Sequence, residues 1–221
     1  MTHSVTLLMS EFVTHDVKRY IVTRPDGFEF TPGQGVELAI DRDKWSEEGR
    51  PFTPTSHPDD KVIEFTIKTY EEHEGVTREL SRLKPGAKLT MSDPFGTISY
   101  QGPGVFLGAG AGITPFIAIF RELASKGEIE KNSLIFSNKT PADVISEKEL
   151  RHYMGENAHF ICTDGDEPGY EYERVDKDYL EKNISDFGQK FYVCGPPGFM
   201  KAVNSALEEL GASPESVVFE N

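Results

Sequence analysis

Residues 104–116 read Gly-Val-Phe-Leu-Gly-Ala-Gly-Ala-Gly-Ile-Thr-Pro-Phe. A short apolar strand, Val105 to Leu107, runs into alternating glycines at 108, 110 and 112. Thr114-Pro115 then opens an apolar run through Phe120 and Leu123. Thr114 suits a helix N-cap and Pro115 the first helical position. A glycine turn at a helix start exposes backbone N–H groups where the helix dipole favours an anion, so this stretch is a candidate pyrophosphate cradle. A dinucleotide fingerprint would also place a glycine at 113 and an acidic residue at the end of the next strand. Ile113 and Ser137-Asn138-Lys139 stand there instead. A plain strand-to-helix turn is the alternative, although three glycines exceed what a turn requires.

The patterning differs on the two sides of this stretch. Upstream, Val5 to Leu8, Lys18 to Thr23, Val36 to Ile40, Val62 to Tyr70 and Lys88 to Met91 read as strands, separated by Pro/Gly/Asp turns. Val62 to Tyr70 alternates as a half-buried strand does, and Val76 to Leu83 reads as the one short helix. Closely spaced strands with a single helix predict a small antiparallel β-barrel. Downstream, strands at 105–107, 133–136, 159–163 and 190–194 alternate with helices near 114–126, 146–154, 175–182 and 197–210. This predicts an α/β domain with a parallel sheet, and a last strand at 217–220. The Gly102-Pro103-Gly104 segment divides the chain into domains 1–102 and 103–221.

At 221 residues the chain has room for two modest cores. A formal net charge of −14 argues against nucleic acid or an anionic membrane as partner. No segment reads as a signal peptide or a membrane span. Two cysteines are too few for a disulfide framework, and six histidines without ligand spacing give no metal site. The expected compartment is cytoplasmic.

Three further segments carry chemistry-capable residues. Arg50-Pro51-Phe52-Thr53-Pro54 is extended, with Arg50 and Phe52 on one face and Thr53 on the other. An arginine can grip a phosphate with two N–H bonds, and an aromatic ring can lie on a flat one. Lys68, followed by Gly75-Val76-Thr77 at a helix start, is a second possible anion seat. Cys194-Gly195-Pro196-Pro197 ends a strand where ligands bind in open α/β sheets. An exposed edge strand, an ordinary helix start and a buried thiol are the respective alternatives, and no base beside Cys194 points to nucleophilic catalysis.

Taken in order, these segments resemble the ferredoxin–NADP reductase superfamily. Arg50 to Thr53, Gly75 to Thr77, Gly108 to Pro115 and Cys194 to Met200 stand where that family has Arg-x-Tyr-Ser/Thr, a phosphate turn, Gly-x-Gly-x-Gly-Ile/Val-Thr-Pro and Cys-Gly-Pro-Pro-x-x-Met. Arg50 to Pro54, Ile67 to Tyr70 and Phe136 to Thr140 are most similar to its NADH-dependent cytochrome reductase branch.

The resemblance implies a flavin-binding barrel, a nucleotide-binding α/β domain, and hydride transfer from NAD(P)H to FAD. By it, Arg50, Pro51, Phe52, Thr53, Lys68, Gly75, Val76 and Thr77 would hold FAD, with Thr53 near the flavin N5 and Phe52 in place of the usual tyrosine. Gly110, Thr114, Pro115, Asn138, Lys139, Cys194, Gly195, Pro196 and Met200 would hold the nicotinamide nucleotide. Thr53, Cys194 and Glu220 would border the reacting rings. With only Lys139 to meet a 2′-phosphate, NADH is expected ahead of NADPH. The electron acceptor is expected to be a separate protein (a ferredoxin, flavodoxin, cytochrome or oxygenase component) or a small molecule. Arg78 and Arg82, at i and i+4, are the candidate docking residues for an acidic partner, with a plain solvated helix face as the alternative. Two other readings are a flavin reductase that takes flavin as a loosely bound substrate and a non-enzymatic redox-regulatory subunit.

Overall fold

The computed structural model describes residues 1–96 and 98–219. The chain forms two compact units, Met1–Thr97 with Thr114–Glu122, and Ile98–Ile113 with Leu123–Asn221.

In the first unit the strands are β1 (Thr2–Phe12), β2 (Val17–Thr23), β3 (Val36–Ile40), β4 (Arg50–Phe52), β5 (Val62–Lys68) and β6 (Lys88–Ser92). They form an antiparallel sheet in the order β4-β3-β6-β1-β2-β5. An isolated bridge between Pro54, just past β4, and Phe65 of β5 brings the two ends of that order together. The result is a near-closed barrel, in which few strand edges stay open. Period-two alternation turns Val5, Leu7, Tyr20, Val22, Val36, Leu38, Phe65, Ile67, Leu89 and Met91 into one core. The short helix α1 (Val76–Ser81) caps it with Val76 and Leu80.

Two strands differ from expectation. β1 extends well beyond Val5 to Leu8, because its register shifts between Leu7 and Met9 and pairing with β2 continues to Phe12. β5 is buried on both faces: Ile63, Phe65 and Ile67 point into the core, while Glu64 and Thr66 are also buried. The sequence alternation predicts a wet outer face there. Helix α2 (Thr114–Ser125) covers it, reaching Glu64 through Arg121.

In the second unit β7 (Gly104–Ala109), β8 (Ser133–Asn138), β9 (Ala158–Cys162), β10 (Lys190–Cys194) and β11 (Val217–Phe219) form an all-parallel sheet in the order β11-β10-β7-β8-β9. Its helices include α3 (Glu147–Met154), α4 (Lys177–Asn183) and α5 (Pro197–Glu209). Every residue of β7 is buried, as a parallel strand covered on both faces requires. One face packs Val105, Leu107, Phe191 and Val193 against Tyr179 and Leu180 of α4 and Val203 and Leu207 of α5. The ring of Tyr192 stacks on Phe106 at 4.3 Å. Its buried hydroxyl donates to Gly102 O (2.7 Å) and accepts from Gln101 N–H (2.8 Å), which seats the approach to β7.

Among the described residues, no helix is long and apolar enough to cross a membrane.

Candidate functional site

The strand order of the parallel sheet marks where a ligand belongs. The chain starts at β7 and runs outward through β8 and β9. It then returns to the other side of β7 for β10. The chain leaves β7 and β10 toward opposite edges of the sheet, and in open α/β sheets ligands bind at the strands' carboxyl ends at such a switch point. The register sets Gly108 opposite Cys194. Two segments far apart in sequence thus meet at the switch point.

The glycines there have different tasks. A β-carbon at Gly112 would run into the carbonyl of Cys194 and lie 2.6 Å from Gly195 Cα. Gly112 is therefore glycine because the backbone of β10 lies against it. Gly110 has φ +52°, and a β-carbon there would meet nothing within 4 Å, so its surface is open. A ligand approaching the backbone has room at Gly110 and none at Gly112. The turn Gly110–Ile113 is 3₁₀ and runs directly into α2, so Thr114 is the first helical residue and not a cap. Pro115 follows in the first turn, where its missing N–H costs nothing.

Beyond Cys194, Gly195 lies against Ala109 and Phe199, and Pro196 caps α5. Met200 and Phe199 pack against the sheet core. Cys194 and Cys162 are buried thiols, neither in a disulfide. Burial raises the pKa of Cys162, and the nearby carboxylates of Asp143, Glu147 and Glu167 add to the shift, which keeps this thiol unreactive.

At the end of β8, Asn138 is 5% exposed, and neither its amide oxygen nor its amide nitrogen has a hydrogen-bond partner in the protein. A buried primary amide with no partner is costly and points to a missing polar group. Lys139 beside it is exposed. The end of β9 lies alongside: Thr163 N–H bonds to Asn138 O (3.0 Å) and Asp164 N–H to Lys139 O (3.0 Å). The Asp164 carboxylate, exposed and steadied by the Thr163 hydroxyl (3.1 Å), thus stands next to Asn138-Lys139. The expected position for an acidic residue is the end of β8; the one the structure brings to this edge stands at the end of β9. The signal that would have found it is Cys162-Thr163-Asp164-Gly165, an acidic residue in a turn after a predicted strand.

The barrel segments come together in a similar way. β4 pairs with β3 so that Arg50 lies opposite Leu38 and Phe52 opposite Val36, on one face. Pro51 is exposed and Phe52 packs partly on the barrel core. The Arg50 side chain is 53% exposed, and its guanidinium lies 3.5 Å from Glu48 and donates to Gly49 O. Thr53 follows, 8% exposed. Because Pro54 bridges Phe65 and Thr55 N–H bonds to Glu64 O, residues 50–55 run antiparallel to β5, which carries Lys68 toward the Arg50 end. The Lys68 ammonium already holds Asp16 at 2.7 Å. Burial opposes the Asp16 charge, but the hydrogen bond and charge of Lys68 outweigh it and leave this carboxyl below the usual range.

At α1, Gly75 is extended and accepts the first helical bond from Glu79 N–H, so the N–H groups of Val76, Thr77 and Arg78 precede any helix partner. The Nε of Arg78 is buried without a hydrogen-bond partner, and a β-carbon at Gly75 would meet nothing within 4 Å. These features fit an anionic group. They do not fit an exposed docking patch. Arg78 pairs with Glu74 (3.9 Å), while Arg82 and Arg42 both pair with Glu79 (3.2 Å each), so these cations are offset by their own helix and its neighbours. Glu220 lies outside the described residues.

Comparison with known proteins agrees with both halves. Residues 4–100 match the oxidoreductase FAD-binding domain, and residues 106–205 the oxidoreductase NAD-binding domain. The chain belongs to the ferredoxin reductase-like family, and its cofactors are FAD and NADH or NADPH. The ferredoxin–NAD(P)(+) reductase component of the Pseudomonas putida naphthalene 1,2-dioxygenase system is 27% identical over 223 residues, covering 96% of this chain and 66% of that protein. NADH-cytochrome b5 reductase 2 of Lodderomyces elongisporus is 32% identical over 205 residues, covering 76% of this chain and 65% of that one. The chain thus spans about two thirds of the length of these relatives. A ferredoxin NADP+ reductase structure from Neisseria gonorrhoeae, with FAD and NADP bound, shares the fold. Its TM-score is 0.86 over 100% of this chain and 98% of that one, at 18% identity.

Proposed function

We propose that this chain is an NADH-dependent flavoprotein reductase that delivers electrons to a separate acceptor. The observation that carries the reading is the switch point of the parallel sheet, where the turn with open Gly110 lies beside the Cys194-Gly195 segment. The FAD-binding match over the barrel supports the other half of the reaction. FAD, when bound, supplies a ring that accepts a hydride and releases electrons singly or as a pair.

The flavin domain is residues 1–102 and the nucleotide domain 103–221. Arg50, Lys68 and the N–H groups of Gly75, Val76 and Thr77, with Arg78, hold the FAD phosphates. Pro51 and Phe52 lie along the flavin, and the Thr53 hydroxyl faces its reactive edge. Gly110, Thr114 and Pro115 receive the nicotinamide pyrophosphate. Cys194, Gly195 and Pro196 shape the nicotinamide pocket, and Met200 backs it from the core. Asn138, Lys139 and Asp164 hold the adenosine ribose. These groups bind, orient and exclude water, and none has to act as a strong base.

Asp164 decides between the nucleotides. A carboxylate beside the ribose accepts hydrogen bonds from its hydroxyls and repels a 2′-phosphate. Replacing Asp164 with serine is expected to raise kcat/KM for NADPH about tenfold, equivalent to ~1.4 kcal/mol of repulsion removed, and to lower it for NADH. Steady-state kinetics with both nucleotides checks this. An unchanged preference would place the ribose elsewhere.

The acceptor is a one-electron protein or a small molecule. The relatives are named as a dioxygenase reductase component and a cytochrome b5 reductase, and this chain fits that kind of role. The offset arginines of α1 and the −14 charge favour an acceptor that is not itself acidic. Two thiols outside any disulfide suit a reducing, cytoplasmic setting.

A further inference from the structure

We infer that Glu64 and Arg121 are a positioning pair for the segment Thr53–Ser56, and through it for the Thr53 hydroxyl. The inference rests on the flavin reading above and concerns two residues outside every binding motif.

The segment cannot be placed by strand pairing alone. Pro54 has no N–H to give, and its link to β5 is a single bridge at Phe65. Side chains complete the register. Beside one further backbone bond, Thr55 N–H to Glu64 O at 2.7 Å, Glu64 N–H bonds to the Ser56 hydroxyl at 3.1 Å. The Thr55 hydroxyl donates to Glu64 Oε1 at 2.7 Å. Arg121 Nη1 donates both to that same carboxylate oxygen (2.7 Å) and to Thr55 O (2.6 Å). Thr55 and Ser56 are fully buried, Glu64 is 8% exposed, and the Arg121 side chain is 17% exposed. Arg19 Nη1 lies 3.8 Å from the other Glu64 oxygen, so the carboxylate faces cations on two sides.

Burying an ion pair is a poor route to stability, since apolar residues of the same size would serve equally well. What the pair adds is direction. A carboxylate that accepts from Thr55 and from an arginine that also grips the Thr55 carbonyl fixes that peptide in one orientation. Thr53 is two residues away. Misplacing a reacting group by about 1 Å costs roughly 100-fold in rate.

The test uses the full chain loaded with FAD, in the variants Arg121→Lys, Arg121→Gln and Glu64→Gln. Flavin absorbance per chain and far-UV circular dichroism report binding and folding. Stopped-flow bleaching by NADH reports the hydride step per bound flavin. The expected result is wild-type FAD content in at least Arg121→Lys and Glu64→Gln. Their limiting bleaching rate should fall roughly 10- to 100-fold, with the half-saturating NADH concentration unchanged. Both bonds come from Nη1, so Arg121→Lys keeps the charge and a donor but not the reach of the guanidinium, and it should recover part of the rate lost in Arg121→Gln. Rates per bound flavin equal to wild type would overturn the inference, as would loss of folding in all three, which assigns the pair to stability alone. A wild-type chain that binds no FAD fails earlier, at the flavin reading, and removes the inference with it.

Discussion

Replacing Gly112 with alanine is expected to destabilise the nucleotide-binding unit by about 3 kcal/mol, the upper end of what overpacking a well-packed interior costs. The added carbon meets the Cys194 carbonyl and Gly195 Cα, which are backbone atoms of β10 and its turn. They cannot swing aside as a side-chain tip does, so β10 must shift against β7. The neighbouring Gly110→Ala is the control. It meets open space, and its cost is the left-handed φ of +52°, about 1–2 kcal/mol. Urea denaturation followed by circular dichroism ranks the two. An equal or smaller loss at Gly112 would mean that the β7 and β10 turns are not in contact. The same shift should weaken NADH binding in Gly112→Ala.

Arg50→Ala is expected to have the opposite profile. Its only side-chain ion pair among the described residues is with Glu48, on an exposed rim, and such pairs contribute little to folding. The apo variant should unfold at the wild-type urea concentration. A lost charge-assisted hydrogen bond to a phosphate costs about 1.5–3 kcal/mol, so FAD should bind roughly 10- to 150-fold more weakly. Flavin fluorescence titration measures this. Unchanged affinity would move the pyrophosphate away from β4. Lys68 serves as the contrast: Asp16 already occupies it, so Lys68→Met should cost folding stability as well as FAD.

Much of this architecture is legible in the sequence because its signals are local. The α2 helix, α5 and the strands β7, β8 and β10 come from apolar runs bounded by glycine and proline, and their observed limits lie within a residue or two of expectation. What stays hidden depends on distant neighbours. The outer face of β5 reads as wet because nothing in Val62 to Lys68 announces that Arg121, 57 residues from Glu64, will cover it. The third glycine of the turn reads as room for a ligand, but it is taken up by contact with Cys194. Arg78 and Arg82 read as a basic helix face until their carboxylates are placed beside them. Asp164 escapes a sequence reading because the parallel sheet brings the end of β9 to the end of β8. Phe52 is the aromatic of the segment proposed to line the flavin. On that proposal, the tyrosine hydroxyl it lacks is worth on the order of 1 kcal/mol of FAD binding.

The most direct test is an anaerobic visible spectrum of the chain, reconstituted with FAD and desalted, before and after one equivalent of NADH. The expected result is a yellow protein with about one flavin per chain, bleached rapidly by NADH and more slowly by NADPH. A protein that leaves the column colourless, or keeps its yellow colour with both nucleotides, would contradict the assignment of a flavin-dependent reductase.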